Sequence, residues 1–267
     1  MPTRPTAPVG LLAAAAGVTD TSACLTAAEV ATVRKLHEGP RDPDTGARLT
    51  VGGPQPGSEL GWAGVFVPKA GDPGIFSEVI AMGALKNLVF EETPPASFTL
   101  ADLRFDTATF ERLRVRHPLF DATNPDLSAF AGRGGKLLLW HGWADEHITP
   151  LGTIAYQQAL ERTMGEAVGG FKRLYLVPGM AHCHGGEGPN RIDLLTRVMA
   201  WVERGEAPDA VIAADPTRAR PVFPYPAIAR HDGTGDPDLA ASYVRGEDPL
   251  LSAPVPDWLG ANFFEPS

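Results

Sequence analysis

The second half of the chain carries ordered apolar runs, and the first half does not. A short apolar run over 136–140 emerges from Gly134-Gly135, the form of a strand buried on both faces of a parallel sheet. Thr149-Pro150 then supplies an N-cap and a first-turn proline for a helix running from Ile154 through Met164, ended by Gly165. A second strand is expected over 171–177 and a loop over 178–188. A helix over 192–204 follows, with Leu194, Leu195, Val198 and Trp201 as its buried stripe and Gly205 beyond its end. Strand, helix, strand, helix is the pattern of a right-handed crossover unit. The proline-rich remainder, 206–267, is expected to wrap the surface, with one strand at 210–213.

The first half reads differently. Thr26-Ala-Ala-Glu29 has capping-box form ahead of Val30, Val33 and Leu36, apolar positions on one helix face, and Gly39-Pro40 stops that helix. Residues 41–49 read as a turn. Asp42, Asp44 and Gly46 resemble the opening of a calcium loop, but the closing bidentate glutamate of such a loop would fall on Gly53, so the tight turn is preferred. From 52 to 95 the chain mixes Gly, Pro and aromatics, with one helix expected near 75–90. Asn124-Pro125-Asp126 marks a helix start leading into 127–130.

Composition narrows the function classes. With 267 residues and 43% hydrophobic content, the chain can bury the core of one large domain or two small ones. A net charge of -9 provides no basic field for a phosphate backbone, which argues against a nucleic-acid partner. No apolar stretch approaches the length of a membrane span. The run over 9–18 behind Arg4 has the outline of a short leader ending near Ala23-Cys24. A single positive charge, Pro8 and an Ala-rich centre favour an ordinary domain segment instead. Cys24 and Cys183 are too few to define a disulfide framework.

Asp145 and His182 carry the chemistry. Each occupies a loop leaving the C-terminal end of an expected strand, where crevices form in doubly wound sheets. They also keep the order of the last two members of a Ser, Asp, His triad of the α/β-hydrolase type. In such a triad the histidine relays a proton between nucleophile and leaving group, and the carboxylate fixes its tautomer. The nucleophile itself is not legible, because no G-x-S-x-G elbow occurs upstream of Asp145. Gly57-Ser58-Glu59 is the nearest imitation but lacks the glycine pattern and a preceding strand, and Ser22, Ser77, Ser97 and Ser128 have no elbow. His141, His147 and His184 read as structural, since no second carboxylate cluster accompanies them with metal-ligand spacing.

These residues resemble the tannase and feruloyl esterase family of α/β-hydrolases. The segment Gly134-Gly-Lys-Leu-Leu-Leu-Trp-His-Gly-Trp-Ala-Asp145 is similar to that family's acid strand and loop. Val177-Pro-Gly-Met-Ala-His-Cys183 is similar to its histidine loop. Cys24-Leu-Thr-Ala-Ala-Glu-Val with Gly39-Pro-Arg-Asp-Pro-Asp-Thr-Gly46, and Pro56-Gly-Ser-Glu-Leu-Gly-Trp62, resemble its lid.

The resemblance implies an α/β fold: the C-terminal part of an α/β-hydrolase sheet over 126–267, with an irregular, partly helical lid lobe over 25–125 and a leader or lid remnant over 1–24. It implies a serine esterase acting on small aromatic acid esters, with Asp145 and His182 as catalytic residues. It also implies that the serine elbow, most of the sheet, the oxyanion-hole donors and the lid's calcium loop lie upstream, so that no cofactor is expected in this chain and an upstream chain would complete the sheet. Cys183 would pair with a cysteine beside the missing serine. The family's further cysteine is replaced here by Phe223 within Arg220-Pro-Val-Phe-Pro-Tyr-Pro226, so that second disulfide is not expected. Export to the periplasm or medium follows from resemblance alone. Trp62, Phe66 and Phe90 are candidates for an aromatic pocket or for lid core. An inactive fragment or binding module is the alternative from another class, and a serine peptidase of the same fold is a further one.

Overall fold

The computed structural model describes residues 24–266, so the leader-like run over 9–18 lies outside the described residues. Helix α1, Ala27–Glu38, begins at the expected capping box: the Thr26 hydroxyl accepts from the Glu29 amide at 3.3 Å, and the Glu29 carboxylate accepts from the Thr26 amide at 2.7 Å. The reciprocal pair satisfies two amide groups that the helix start would leave bare. The turn after it is tied by Asp42, as its residue types require. One Asp42 oxygen accepts from the Asp44 and Thr45 amides, and the other accepts from the amide and hydroxyl of Thr107. With all four of these donors directed at it, Asp42 closes the tight turn expected here.

The lobe continues through α2, Phe76–Ala84, which widens into a π turn at Leu85–Val89, then α3, Thr107–Arg114, and the single turn α4, His117–Phe120. Polar side chains tie this lobe together. His37 bridges the Pro54 carbonyl at 2.6 Å and the Glu59 carboxylate at 2.9 Å. The buried Ser58 hydroxyl accepts from the Trp62 indole at 3.1 Å.

After the short α5, Ser128–Gly132, the chain becomes regular. Strand β1, Leu137–Gly142, leads through α6, Pro150–Met164, to β2, Lys172–Val177, and the two strands pair in parallel from Leu137↔Lys172 to Gly142↔Val177. Thr149 caps α6 and Pro150 fills its first turn, while Ile154, Ala155, Ala159 and Leu160 form its buried stripe. Helix α7, Leu195–Arg204, ends at the left-handed Gly205. Two of its expectations need correction. The strand is not buried on both faces, because Trp140 is 43% exposed, and the α7 stripe turns in Trp201 and Ala200 while Leu195 stays 69% exposed. The Trp201 ring carries the Arg173 guanidinium at 4.8 Å and the Lys136 ammonium at 5.1 Å, which fixes which side of the helix faces inward.

The tail is also more structured than its prolines suggest. Strand β3, Val211–Ala214, pairs antiparallel with β4, Ala219–Val222, and β5, Ala227–His231, with β6, Tyr243–Glu247. Val211, Ala213 and Val222 join Tyr175, Val177 and Met180 in one fully buried cluster, so the tail builds core and does not merely wrap it. Pro221 sits within β4 opposite Ile212, and this proline hides the strand from a sequence reading. The segment beyond β4 runs alongside β2, with the Tyr225 amide donating to the Leu174 carbonyl at 2.8 Å. Phe223, which stands where the family resemblance would put a cysteine, lies beneath the Arg245 guanidinium at 5.6 Å.

Candidate active site

The loops that follow β1 and β2 are stitched to each other by backbone. The Trp143 amide donates to the Val177 carbonyl at 2.9 Å, and the Ala144 amide to the Met180 carbonyl at 3.0 Å. This contact requires a glycine at the end of β1: a Cβ on Gly142 would stand 2.3 Å from the Ala181 carbonyl oxygen and 2.4 Å from that of Met180. The second loop closes on itself around the buried Met180, where Gly179, at φ 70°, and Gly188 pack backbone to backbone. Its tip carries His182, Cys183 and His184, all exposed, and Cys183 takes the left-handed conformation at φ 59°.

Within this frame the two residues singled out from sequence meet. His182 Nδ1 donates to Asp145 Oδ2 at 2.9 Å, with Asp145 1% exposed and the histidine side chain 46% exposed. Asp145 uses both oxygens. Oδ1 accepts from the His147 and Ile148 amides, each at 2.8 Å, while Oδ2 also faces His141 Nε2 at 3.2 Å. Burial pushes the Asp145 carboxyl up, but the hydrogen bonds from His141, Ile148, His182 and His147 outweigh it and hold the group well below the usual carboxylate range. A carboxylate held low therefore faces the Nδ1 side of the His182 ring.

Sequence reasoning missed three neighbours. His141, taken as structural, braces the acid, with its Nδ1 held by the Thr153 hydroxyl at 2.7 Å. His147, also taken as structural, sets its ring edge-on to His182 at 4.9 Å and to Phe76 of α2 at 5.2 Å. Glu146 accepts from the His182 amide at 3.1 Å and packs its side chain against Gly61, so the lobe reaches the site. The available signal was position alone: all three lie within four residues of Asp145. His184, the third of these histidines, is exposed at the loop tip.

The other candidates fall elsewhere. Trp62 and Phe90 are buried packing of the lobe, with Phe66 edge-on to Trp62 at 5.8 Å. The Ser58 hydroxyl is buried beneath Trp62 and is not available as a nucleophile. Cys24 and Cys183 are both free thiols, and burial together with the Asp145 charge pushes that of Cys183 up. No helix among the described residues is long and apolar enough to cross a membrane. A cavity of about 540 Å³ lies at the opposite end of β2, lined by Gln157, Glu161, Lys172 and Tyr225, and shares no residue with the Asp145–His182 pair.

A parallel strand pair with acid and histidine on adjacent strand-end loops is an α/β-hydrolase arrangement, and comparison with solved structures agrees. The chain superposes on feruloyl esterase B from Aspergillus oryzae with a TM-score of 0.72 at 26% identity, covering 89% of this chain and 50% of that one. The family profile described as tannase and feruloyl esterase matches residues 4–245, and the chain belongs to that family. A mono(2-hydroxyethyl) terephthalate hydrolase from Piscinibacter sakaiensis is 47% identical over 136 residues, 48% of this chain and 22% of that protein. A probable feruloyl esterase from Arthroderma benhamiae is 33% identical over 248 residues, 85% of this chain and 44% of that protein. The chain thus spans half the length or less of these relatives.

Proposed function

We propose that this chain supplies the acid and base of a serine carboxylic-ester hydrolase acting on esters of aromatic carboxylic acids. The observation that carries the reading is the 2.9 Å hydrogen bond from His182 Nδ1 to the buried Asp145 carboxylate. Asp145 holds the imidazole in the Nδ1–H tautomer, which leaves Nε2 free to take the proton of a serine hydroxyl and return it to the departing alcohol. The substrate class is supported by the similarity to a mono(2-hydroxyethyl) terephthalate hydrolase and to a probable feruloyl esterase. The serine comes from a segment other than those described: the sequence holds no elbow, and Ser58 is buried under Trp62.

The test is hydrolysis of a chromogenic aromatic ester by the chain alone and mixed with a family fragment bearing the serine elbow, each repeated with His182→Ala. Activity only in the mixture, lost with the variant, is the expected result. Inactivity in both would favour a binding module. Activity of the chain alone that disappears with His182→Ala would place the nucleophile within these 267 residues.

A further inference from the structure

The carboxylate beside Asp145 has no place in the proton relay, yet it is firmly held. The Glu146 side chain is 14% exposed and uses both oxygens. Oε2 accepts from the backbone amide of His182 at 3.1 Å, while Oε1 faces His147 Nε2 at 3.5 Å. Its stem lies against Gly61 of the lobe, where an added Cβ would stand 3.0 Å from both Cγ and Cδ. We infer that Glu146 is a positioning residue linking the lobe to His182: seated on Gly61, it holds the histidine loop where the imidazole presents Nδ1 to Asp145.

The two members of the pair are fixed unequally. Asp145 is buried and tied by the His147 and Ile148 amides of its own loop. His182 lies beyond the end of β2 at the exposed tip of its loop, so no strand ladder sets its direction. The loop closes around it through the bond from the Ala181 amide to the Gly185 carbonyl, and the His182 amide itself turns outward to Glu146. A carboxylate is the stronger kind of acceptor for such an amide. Removing it leaves an exposed loop N–H that water can satisfy, so the expected loss is of orientation and not of fold.

A second contact runs in parallel. The His147 ring that faces Glu146 also lies edge-on to His182 at 4.9 Å and to Phe76 of α2 at 5.2 Å. The lobe thus reaches the histidine twice, from Gly61 through Glu146 to its backbone and from Phe76 through His147 to its ring. A shift of the lobe changes both together, and the histidine is a competent base only while they hold. That last consequence rests on the esterase reading, whereas the positioning itself does not.

The test reads the tautomer of His182 in the chain alone. NMR of isotope-labelled imidazole nitrogens at alkaline pH separates the Nδ1–H form, which the bond to Asp145 selects, from the Nε2–H form. The His182 signals are assigned by their absence in His182→Ala. The unmodified chain is expected to hold Nδ1–H. Glu146→Ala should move the tautomer equilibrium about fivefold toward Nε2–H, the size of one ordinary hydrogen bond. Glu146→Met, which keeps the stem and removes the acceptor, should do the same and serves where alanine disturbs the fold. Gly61→Ala, which pushes on the carboxylate from the lobe, should move the equilibrium in the same direction. Glu146→Gln, which keeps both the stem and an acceptor oxygen, should retain the unmodified value. Circular dichroism and thermal unfolding of each variant confirm that the fold is retained. An unchanged equilibrium in folded Glu146→Ala, Glu146→Met or Gly61→Ala would overturn the proposal. So would Glu146→Gln as disturbed as Glu146→Ala, or Nε2–H already dominant in the unmodified chain. No ester is hydrolysed in any of these readings, so a chain that proves inactive with every upstream fragment leaves the positioning intact.

Discussion

The β1–α6–β2 unit and the lobe before it solve the same problem by different means. The first places Asp145 and His182 by burial and strand pairing: Leu160, Tyr175 and Val177 are fully buried, and the paired ladder extends into the loops that carry the two side chains. The lobe has few buried apolar residues and holds its turns by side chain to backbone bonds, with Asp42 taking four donors and His37 bridging Pro54 and Glu59. Geometry set by packing is shared across many contacts, whereas geometry set by single polar ties fails one tie at a time.

The sharpest break of that comparison separates function from stability. In the reconstituted system His182→Ala is expected to lower kcat by about 10⁴-fold or more, and Asp145→Asn by about 10⁴-fold through loss of the correct tautomer, as for other triads. His182→Ala should lower the thermal midpoint only slightly, because its side chain is half exposed and Asp145 keeps the His147 and Ile148 amides. The next effect is structural. Leu174→Ala, at a fully buried position of β2, should cost about 2 to 5 kcal/mol in denaturant unfolding and act on the whole unit.

Asp42→Asn, by contrast, should release only the lobe. Hydrogen exchange would show faster exchange at Asp44, Thr45 and Thr107 with β1 and β2 still protected. Equal exchange in both regions would mean that the two are one cooperative unit.

pH separates the regions more gently. His37 is lowered by burial, but the hydrogen bond and charge of Glu59 with the Pro54 carbonyl raise it on balance. Its contribution is therefore complete below the ordinary histidine value near pH ~6.5 and is lost as pH rises through the raised folded value. Asp145 is held low by its donors despite burial, and Asp42 is held low chiefly by the Thr107 hydroxyl, then by the Thr45 and Thr107 amides. Their contributions are complete above the ordinary carboxylate value near pH ~4 and decline as pH falls below it. Mild alkali should loosen the lobe alone, and acid should loosen both, measured by near-ultraviolet circular dichroism with Trp62 and Trp143 as reporters. The smallest expected change is Thr149→Ala, at about 1 kcal/mol for the lost cap of α6.

The two regions also differed in how far they could be read from sequence. The crossover unit was legible because its signals are local: a glycine pair before a strand, threonine and proline before a helix, glycine after it. The α1 capping box was legible for the same reason. The strands β4, β5 and β6 were not, since Pro221 interrupts one and the others are short and gain their order from partners far along the chain. Trp140 and Leu195 were misassigned because apolar character says that a residue prefers burial, while exposure depends on which neighbours are present. The order of Asp145 and His182 pointed to the pair, but His141, His147 and Glu146 gave no pattern, because their roles come from how the loops fold over one another.

Gly142 has a consequence for what this protein can tolerate. It never faces the candidate reaction, yet its missing side chain is the spacer that sets how near the acid loop and the histidine loop can lie. A single methyl group at that position would act as a wedge, parting two correct loops without disturbing either one. Descendants of this chain that keep the hydrogen bond between Asp145 and His182 are therefore expected to keep a bare hydrogen at position 142.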